Sequence, residues 1–285
     1  MGNVNYPSIF FILFDILQYP FMQKAFLVSA MAAIPFGLIG TFVVVRRIGY
    51  LASAIAHCAL GGIGGGLYLQ YLLATTVFAA YCAPMVVAMT VTILAAVLIG
   101  TIQIYAKERE DTIIGVVWVT VMACGIILLD RTPGSGNIAS YLFGDILLIT
   151  HQDVLLVTAL SVAVLTVVLT FFKRFEAVCF DPEFSQIRGV PTTRYFLLLL
   201  VLTAMTVVML VQIVGVILLV AMLTLPAATA CRWTKRLLPI GLLAILFGFL
   251  ASWSGLLLSV WLHCPTGPTI VLVAASFYLV SLLKK

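Results

Sequence analysis

Long apolar runs separated by short polar stretches set the pattern of this chain. Runs near residues 24–45, 50–70, 82–105, 112–130, 152–172, 195–212, 214–231, 237–262 and 266–283 each approach the ~20 mostly apolar residues that a helix needs to cross a bilayer. Residues 195–231 form one apolar run of 37 residues, too long for a single crossing, and Gln212–Gly215 is where it should break. Residues 8–22 (SIFFILFDILQYPFM) are short for a crossing and contain Asp15 and Pro20. They read as an interfacial helix, with a tenth span as the alternative. The pattern predicts an all-α polytopic membrane protein: one transmembrane domain over residues 1–285, a bundle of about nine helices within a range of eight to ten.

Composition sharpens this reading. Apolar residues make up 64% of the chain and charged residues 9%, with a mean hydropathy of +1.23. Soluble domains are about 45–50% apolar and about 25% charged, so a soluble enzyme, a disordered chain and a nucleic-acid binder are excluded. The longest polar stretch, Lys173–Arg194, is too short to fold alone. The six cysteines are scattered without a CxxC pair and read as small apolar residues inside spans. No basic region precedes the first apolar run, so a cleavable signal peptide is not expected.

The net charge of +5 is small, but its placement is informative. Alternate loops hold Arg46 and Arg47; Lys107 and Arg109; Lys173, Arg174, Arg188 and Arg194; Arg232, Lys235 and Arg236; and Lys284 and Lys285. That set is thirteen of the fifteen basic residues, and Lys24 and Arg131 are the other two. The positive-inside rule puts the thirteen-charge side, and with it the C-terminus, in the cytoplasm.

Two local patterns point to function. Asp181-Pro182-Glu183-Phe184-Ser185-Gln186-Ile187-Arg188-Gly189 reads as a short helix with its own start and stop. Asp181 can N-cap it, Pro182 suits the first position and Glu183 and Arg188 complement the dipole. Gly189 can take the left-handed conformation beyond the end. So short a helix is unstable alone in water. It either rests on its own bundle or presents Phe184 and Ile187 to a cytoplasmic partner.

The second pattern is RRIGYLASAIAHCALGGIGGG over residues 46–66. His57 lies roughly 15 Å beyond Arg47 at the helical rise, halfway across a core of about 30 Å. An ionisable group at that depth is a functional candidate, and imidazole suits first-row transition metals. Ser53, His57, Gly61 and Gly65 follow at four-residue spacing and are expected to share a face, the glycines serving helix packing. The plainer alternative is a histidine hydrogen-bonded across a helix contact. His151 and His263 fall in outer loops and read as solvated. No GxxxxGK[ST] phosphate loop and no catalytic arrangement occurs in the chain, so any ATPase must be another chain and no enzyme activity is expected of this one.

With these residues in place, the sequence resembles the integral-membrane permease subunit of bacterial zinc, manganese and chelated-iron ABC importers. The similarity runs through Arg46-Arg47 and the His57 helix, Tyr141-Leu142-Phe143-Gly144-Asp145, and Asp181-Pro182-Glu183-Phe184 with Gly189. It continues through Val211-Gln212-Ile213-Val214-Gly215-Val216, Leu225-Pro226-Ala227-Ala228-Thr229-Ala230 and Pro265-Thr266-Gly267-Pro268-Thr269-Ile270-Val271-Leu272. The resemblance implies a type II importer fold working as a homodimer in the bacterial inner membrane. It implies two cytoplasmic ATPase subunits and an extracytoplasmic solute-binding protein as partners. It makes Asp181–Gly189 the coupling helix on the ATPase, and His57 with residue 53 the metal site of the pathway. Zinc is the expected cargo, manganese or iron the alternatives, and no permanently bound cofactor is expected. Members commonly carry Asp four residues before the histidine, where this chain has Ser53, so a charged ligand is missing. The rival readings are a stand-alone secondary transporter or channel and, more remotely, an intramembrane enzyme.

Overall fold

A computed structural model describes residues 19–73, 84–105, 110–134, 142, 144 and 149–283. Every regular element spanning these residues is a helix: α1 (Pro20–Val45), α2 (Gly49–Leu72), α3 (Pro84–Tyr105), α4 (Glu110–Asp130), α5 (His151–Phe180), α6 (Pro182–Ile187), α7 (Thr192–Val214), α8 (Val216–Trp233), α9 (Leu237–Leu262) and α10 (Thr266–Leu282). Eight of them, all but α6 and α10, are long and apolar enough to cross a membrane. At 17 residues, α10 stands at the short end of the ~17–25 residues that span.

The contacts fix how the helices run. A Cβ added at Gly62 would meet Ala88 of α3, and one at Gly66 would meet Pro84, so α2 and α3 are antiparallel. His57 meets Trp118 of α4 and Gly65 lies nearest Leu128, so α2 and α4 are parallel. Phe26 meets Trp253 of α9 while Gly37 meets Ile245, again antiparallel. α2 packs on α3, α4 and α7, and α1 packs on α5, α8 and α9. The approaches are close because small residues line them, which is how helices associate where lipid removes the hydrophobic drive.

Three boundaries differ from, or add to, the pattern in the sequence. α1 begins at Pro20, in the first helical position, so residues 20–22 belong to this span and not to an interfacial helix; residues 8–18 lie outside the described residues. α5 does not end at Phe172 but runs on through Lys173, Arg174 and Glu176 to Phe180. Its charges alternate with residues that other helices cover. Phe175 stacks on Phe42 at 5.4 Å and on Tyr195 at 6.2 Å, and Val178 is buried. The 37-residue run does break at Gly215, whose φ of +81° ends α7 and starts α8. The two helices then diverge, α7 toward α2, α3 and α5, α8 toward α1, α9 and α10.

One polar repair is visible inside the bundle. Pro35 has no N–H to give to Met31, four residues back in α1. Ser161 Oγ of α5 lies 2.8 Å from the Met31 carbonyl and 2.7 Å from its own helix's Val157 carbonyl, so its one proton is shared between the two acceptors.

Candidate functional site

His57 sits in the third turn of α2, about 12 Å from the start of the helix at the α-helical rise. Its side chain is half-buried. Nδ1 lies 2.7 Å from the Ser53 carbonyl oxygen. A carbonyl only accepts, so Nδ1 carries a proton; when the ring is neutral, Nε2 is the nitrogen with the lone pair that ligates a metal. The imidazole packs against Trp118 of α4, ring centroids 4.8 Å apart at 47°. Trp118 Nε1 is buried without a hydrogen-bond partner.

The glycines that follow allow this contact. A Cβ on Gly61 would lie 2.7 Å from Val121 Cγ1, and one on Gly64 would lie 2.7 Å from the Gly125 carbonyl carbon, both on α4. Gly65, expected on the His57 face, has only Leu128 Cδ1 nearby, at 4.0 Å. The close approach therefore belongs to Gly64 in its place. The reason is helical phase: at about 100° per residue, position 64 lies about 20° from His57 around the axis and position 65 about 80°.

Ser53 is half-buried one turn before His57, and it is the Ser53 carbonyl, not the hydroxyl, that accepts the hydrogen bond from His57 Nδ1. Among the described residues, no three His, Cys, Asp or Glu side chains gather into a group able to hold a metal ion. His151 is exposed as the first residue of α5, not in a loop, behind a capping box in which Thr150 Oγ1 accepts the Asp153 N–H at 3.3 Å. His263 is exposed in the left-handed conformation that closes α9, beside exposed Cys264. Asp145 lies outside the described residues. Its neighbour Gly144 has a φ of +67°, and a side chain there would run into the Val214–Gly215 peptide. Two of the sequence motifs named above thus meet at the turn between α7 and α8.

At the end of the bundle that carries Arg46, α6 forms with both of its caps. Asp181 Oδ1 accepts the Phe184 N–H at 2.9 Å, Pro182 opens the helix and Glu183 lies in its first turn. The Gly189 N–H reaches Gln186 O and the Val190 N–H reaches Ser185 O, with Gly189 at φ +80°. That pair of bonds is a Schellman stop. Ser185 is the residue α6 buries. Phe184 is 50% exposed and Ile187 84% exposed, and the Arg188 guanidinium lies 4.6 Å from the Phe184 ring centroid. A half-buried imidazole within a span and an outward apolar pair on a capped rod are thus parts of one bundle.

The profile described as the ABC 3 transport family matches residues 18–285. The chain belongs to that family. A probable metal transport system membrane protein of Chlamydia pneumoniae is 38% identical over 265 residues, covering 93% of this chain and 89% of the relative. The manganese transport system membrane protein MntC of Listeria monocytogenes is 34% identical over 270 residues, covering 94% and 92%. The solved structure of PsaBC from Streptococcus pneumoniae in complex with Fab superimposes with a TM-score of 0.83 at 31% identity, over 96% of this chain and 95% of that one. As an ABC 3 member the chain is a multi-pass permease subunit of the metal ABC transporter type.

Proposed function

We propose that this permease forms the translocation pathway of an ATP-driven importer of a divalent transition metal in the bacterial inner membrane. Two copies pair across the pathway, two separate ATPase subunits seat against α6, and a solute-binding protein delivers the ion from outside. The C-terminus and the Arg46 end are cytoplasmic, as the thirteen-to-two distribution of basic residues favours. The observation that carries the reading is His57, an imidazole within a span whose Nδ1 proton is held by the Ser53 carbonyl and whose Nε2 is left for the ion. A carrier must release its cargo, so one weak nitrogen ligand on a pathway suits transport better than a closed cage. Alternating exposure follows when ATP closes the ATPases and α6 carries that motion into the bundle.

Manganese leads as the cargo, because relatives such as MntC carry it in their names. Zinc is the second reading, favoured by Ser53 and His57. Without a carboxylate at position 53 the pathway loses a hard oxygen ligand, and imidazole suits zinc better than manganese. The test is uptake of radioactive manganese and zinc by the complete complex in proteoliposomes, with and without ATP, for the wild type and His57→Ala. Both metals should fall to background in the variant while its membrane level holds. Undiminished uptake in His57→Ala would sink the site, and uptake without ATP would favour the stand-alone transporter.

A further inference from the structure

Arg46 closes α1, and only Arg47, at a left-handed φ of +60°, and Ile48 separate it from the helix that carries His57. The turn is tight. The Arg46, Arg47 and Ile48 N–H groups bond back to Phe42, Val44 and Val43 oxygens at 3.0, 3.0 and 2.9 Å. From this turn the Arg46 side chain reaches both helices that flank α6. Its Nη1 donates to the Val178 carbonyl in the last turn of α5. Its guanidinium stacks over the Phe196 ring in the second turn of α7, 4.6 Å from the centroid.

The Val178 carbonyl is free for a reason written in the sequence. Its ordinary partner would be the N–H four residues on, and that residue is Pro182, which has none. The proline that opens α6 therefore leaves the acceptor that Arg46 takes. Around this link the packing is open. Arg46, Gln103, Pro182, Gln186, Thr192 and Phe196 are among the residues around a cavity of about 370 Å³ between α6 and the bundle. Gln103 Oε1 is buried without a hydrogen-bond partner. A cavity thus separates part of α6 from the helices above it, and Arg46 is a polar strut beside that gap, joined to the ends of α5 and α7 that flank α6.

We propose that Arg46 is a positioning residue for transport: it transmits displacement of α6, through Val178 and Phe196, to the α1–α2 turn and so to the His57 helix. Removing it leaves an ATPase that still docks and turns over on a permease whose pathway no longer follows. This rests on the proposed function above. A static structural role would lower uptake and hydrolysis together, whereas a strut separates them.

The experiment measures manganese uptake and ATP hydrolysis side by side in the reconstituted complex. Arg46→Gln keeps hydrogen-bonding capacity but removes the charge. Phe196→Leu keeps apolar volume and removes the ring face. Each should cut uptake by about tenfold while hydrolysis stays within about twofold of wild type, the size expected for losing a charge-assisted hydrogen bond or its stacking support. The double variant should be no worse than Arg46→Gln alone, because both residues serve one link. Uptake unchanged in Arg46→Gln, or uptake and hydrolysis falling in proportion in both single variants, would overturn the proposal. The wild type is the reference arm. Absence of ATP-driven uptake there overturns the function as well, whereas normal uptake in Arg46→Gln overturns the strut alone.

Discussion

Two neighbouring glycines of α2 should respond to the same methyl group with opposite sign. In Gly64→Ala the new Cβ would stand 2.7 Å from the Gly125 carbonyl carbon, where ordinary contact starts at 3.4 Å. The obstacle is α4 backbone, which cannot rotate away, so the two helices must part by about 0.7 Å or more at that point. Overpacking of this kind costs about 1–3 kcal/mol, and a backbone obstacle puts it at the upper end. In Gly65→Ala the nearest atom is Leu128 Cδ1 at 4.0 Å. That site has room, and Ala is favoured over Gly inside a helix by roughly 0.5–1 kcal/mol. The pair should therefore differ by about 3–4 kcal/mol. Thermal unfolding of the detergent-solubilised protein reads the difference, and Gly64→Ala should melt lower by on the order of 5 °C or more. The same variant moves Trp118 away from His57, so metal uptake should fall with it, while Gly65→Ala transports normally. Equal melting temperatures for the two variants would refute the assignment of the α2–α4 contact to Gly64.

Other expectations test separate parts of the molecule. Phe184→Asp puts a charge in place of a half-exposed ring, and on the proposed docking role the ATPase should co-purify about tenfold less well, since burying such a ring is worth about 1–2 kcal/mol; wild-type retention would count against docking at α6. Ser53→Asp places a carboxylate one turn from His57, and should raise manganese affinity relative to zinc because hard cations prefer oxygen; competition uptake with both metals checks it, and an unchanged preference would remove residue 53 from the pathway. Cys264 is exposed beside His263, so a variant keeping it as its only cysteine should react with an impermeant maleimide added outside intact cells; labelling only after the cells are opened would invert the topology.

What could be read from the sequence divides along physical lines. The spans, the break at Gly215 and both caps of α6 were legible because each depends on nearby residues: apolar run length, a glycine able to hold φ +81°, Asp181 three residues before Phe184. The end of α5 was not, because what carries the helix past Lys173 is burial of Phe175 and Val178 by residues from elsewhere in the chain, Phe42 and Tyr195 among them. Four-residue counting put Gly65 on the His57 face, although the phase of 3.6 residues per turn favours Gly64. Hydropathy alone does not set Trp118 apart in the apolar run of α4; its place beside His57 comes from the parallel register of α2 and α4. A sequence signal for it did exist, since a tryptophan whose N–H needs a partner is an unusual choice among Val and Ile at the same depth.

The same division explains why the two candidate functional parts differ in how much they depend on the bundle. α6 is specified almost wholly by its own residues and caps. His57 is specified by its own turn only as far as Nδ1 and the Ser53 carbonyl. Its ring setting depends on α4, and the spacing between α2 and α4 depends on backbone contact at Gly61, Gly64 and Gly125. A shift of α2 of the order of an ångström would therefore alter what Nε2 faces without breaking any hydrogen bond in α6. The α1–α2 turn is where such a shift can be delivered, and Arg46 ties that turn to the last turn of α5 and to α7. A capped helix at one end, a tight turn in the middle and a ring set by one hydrogen bond and by packing at the other are the parts through which the proposed strut acts on one imidazole.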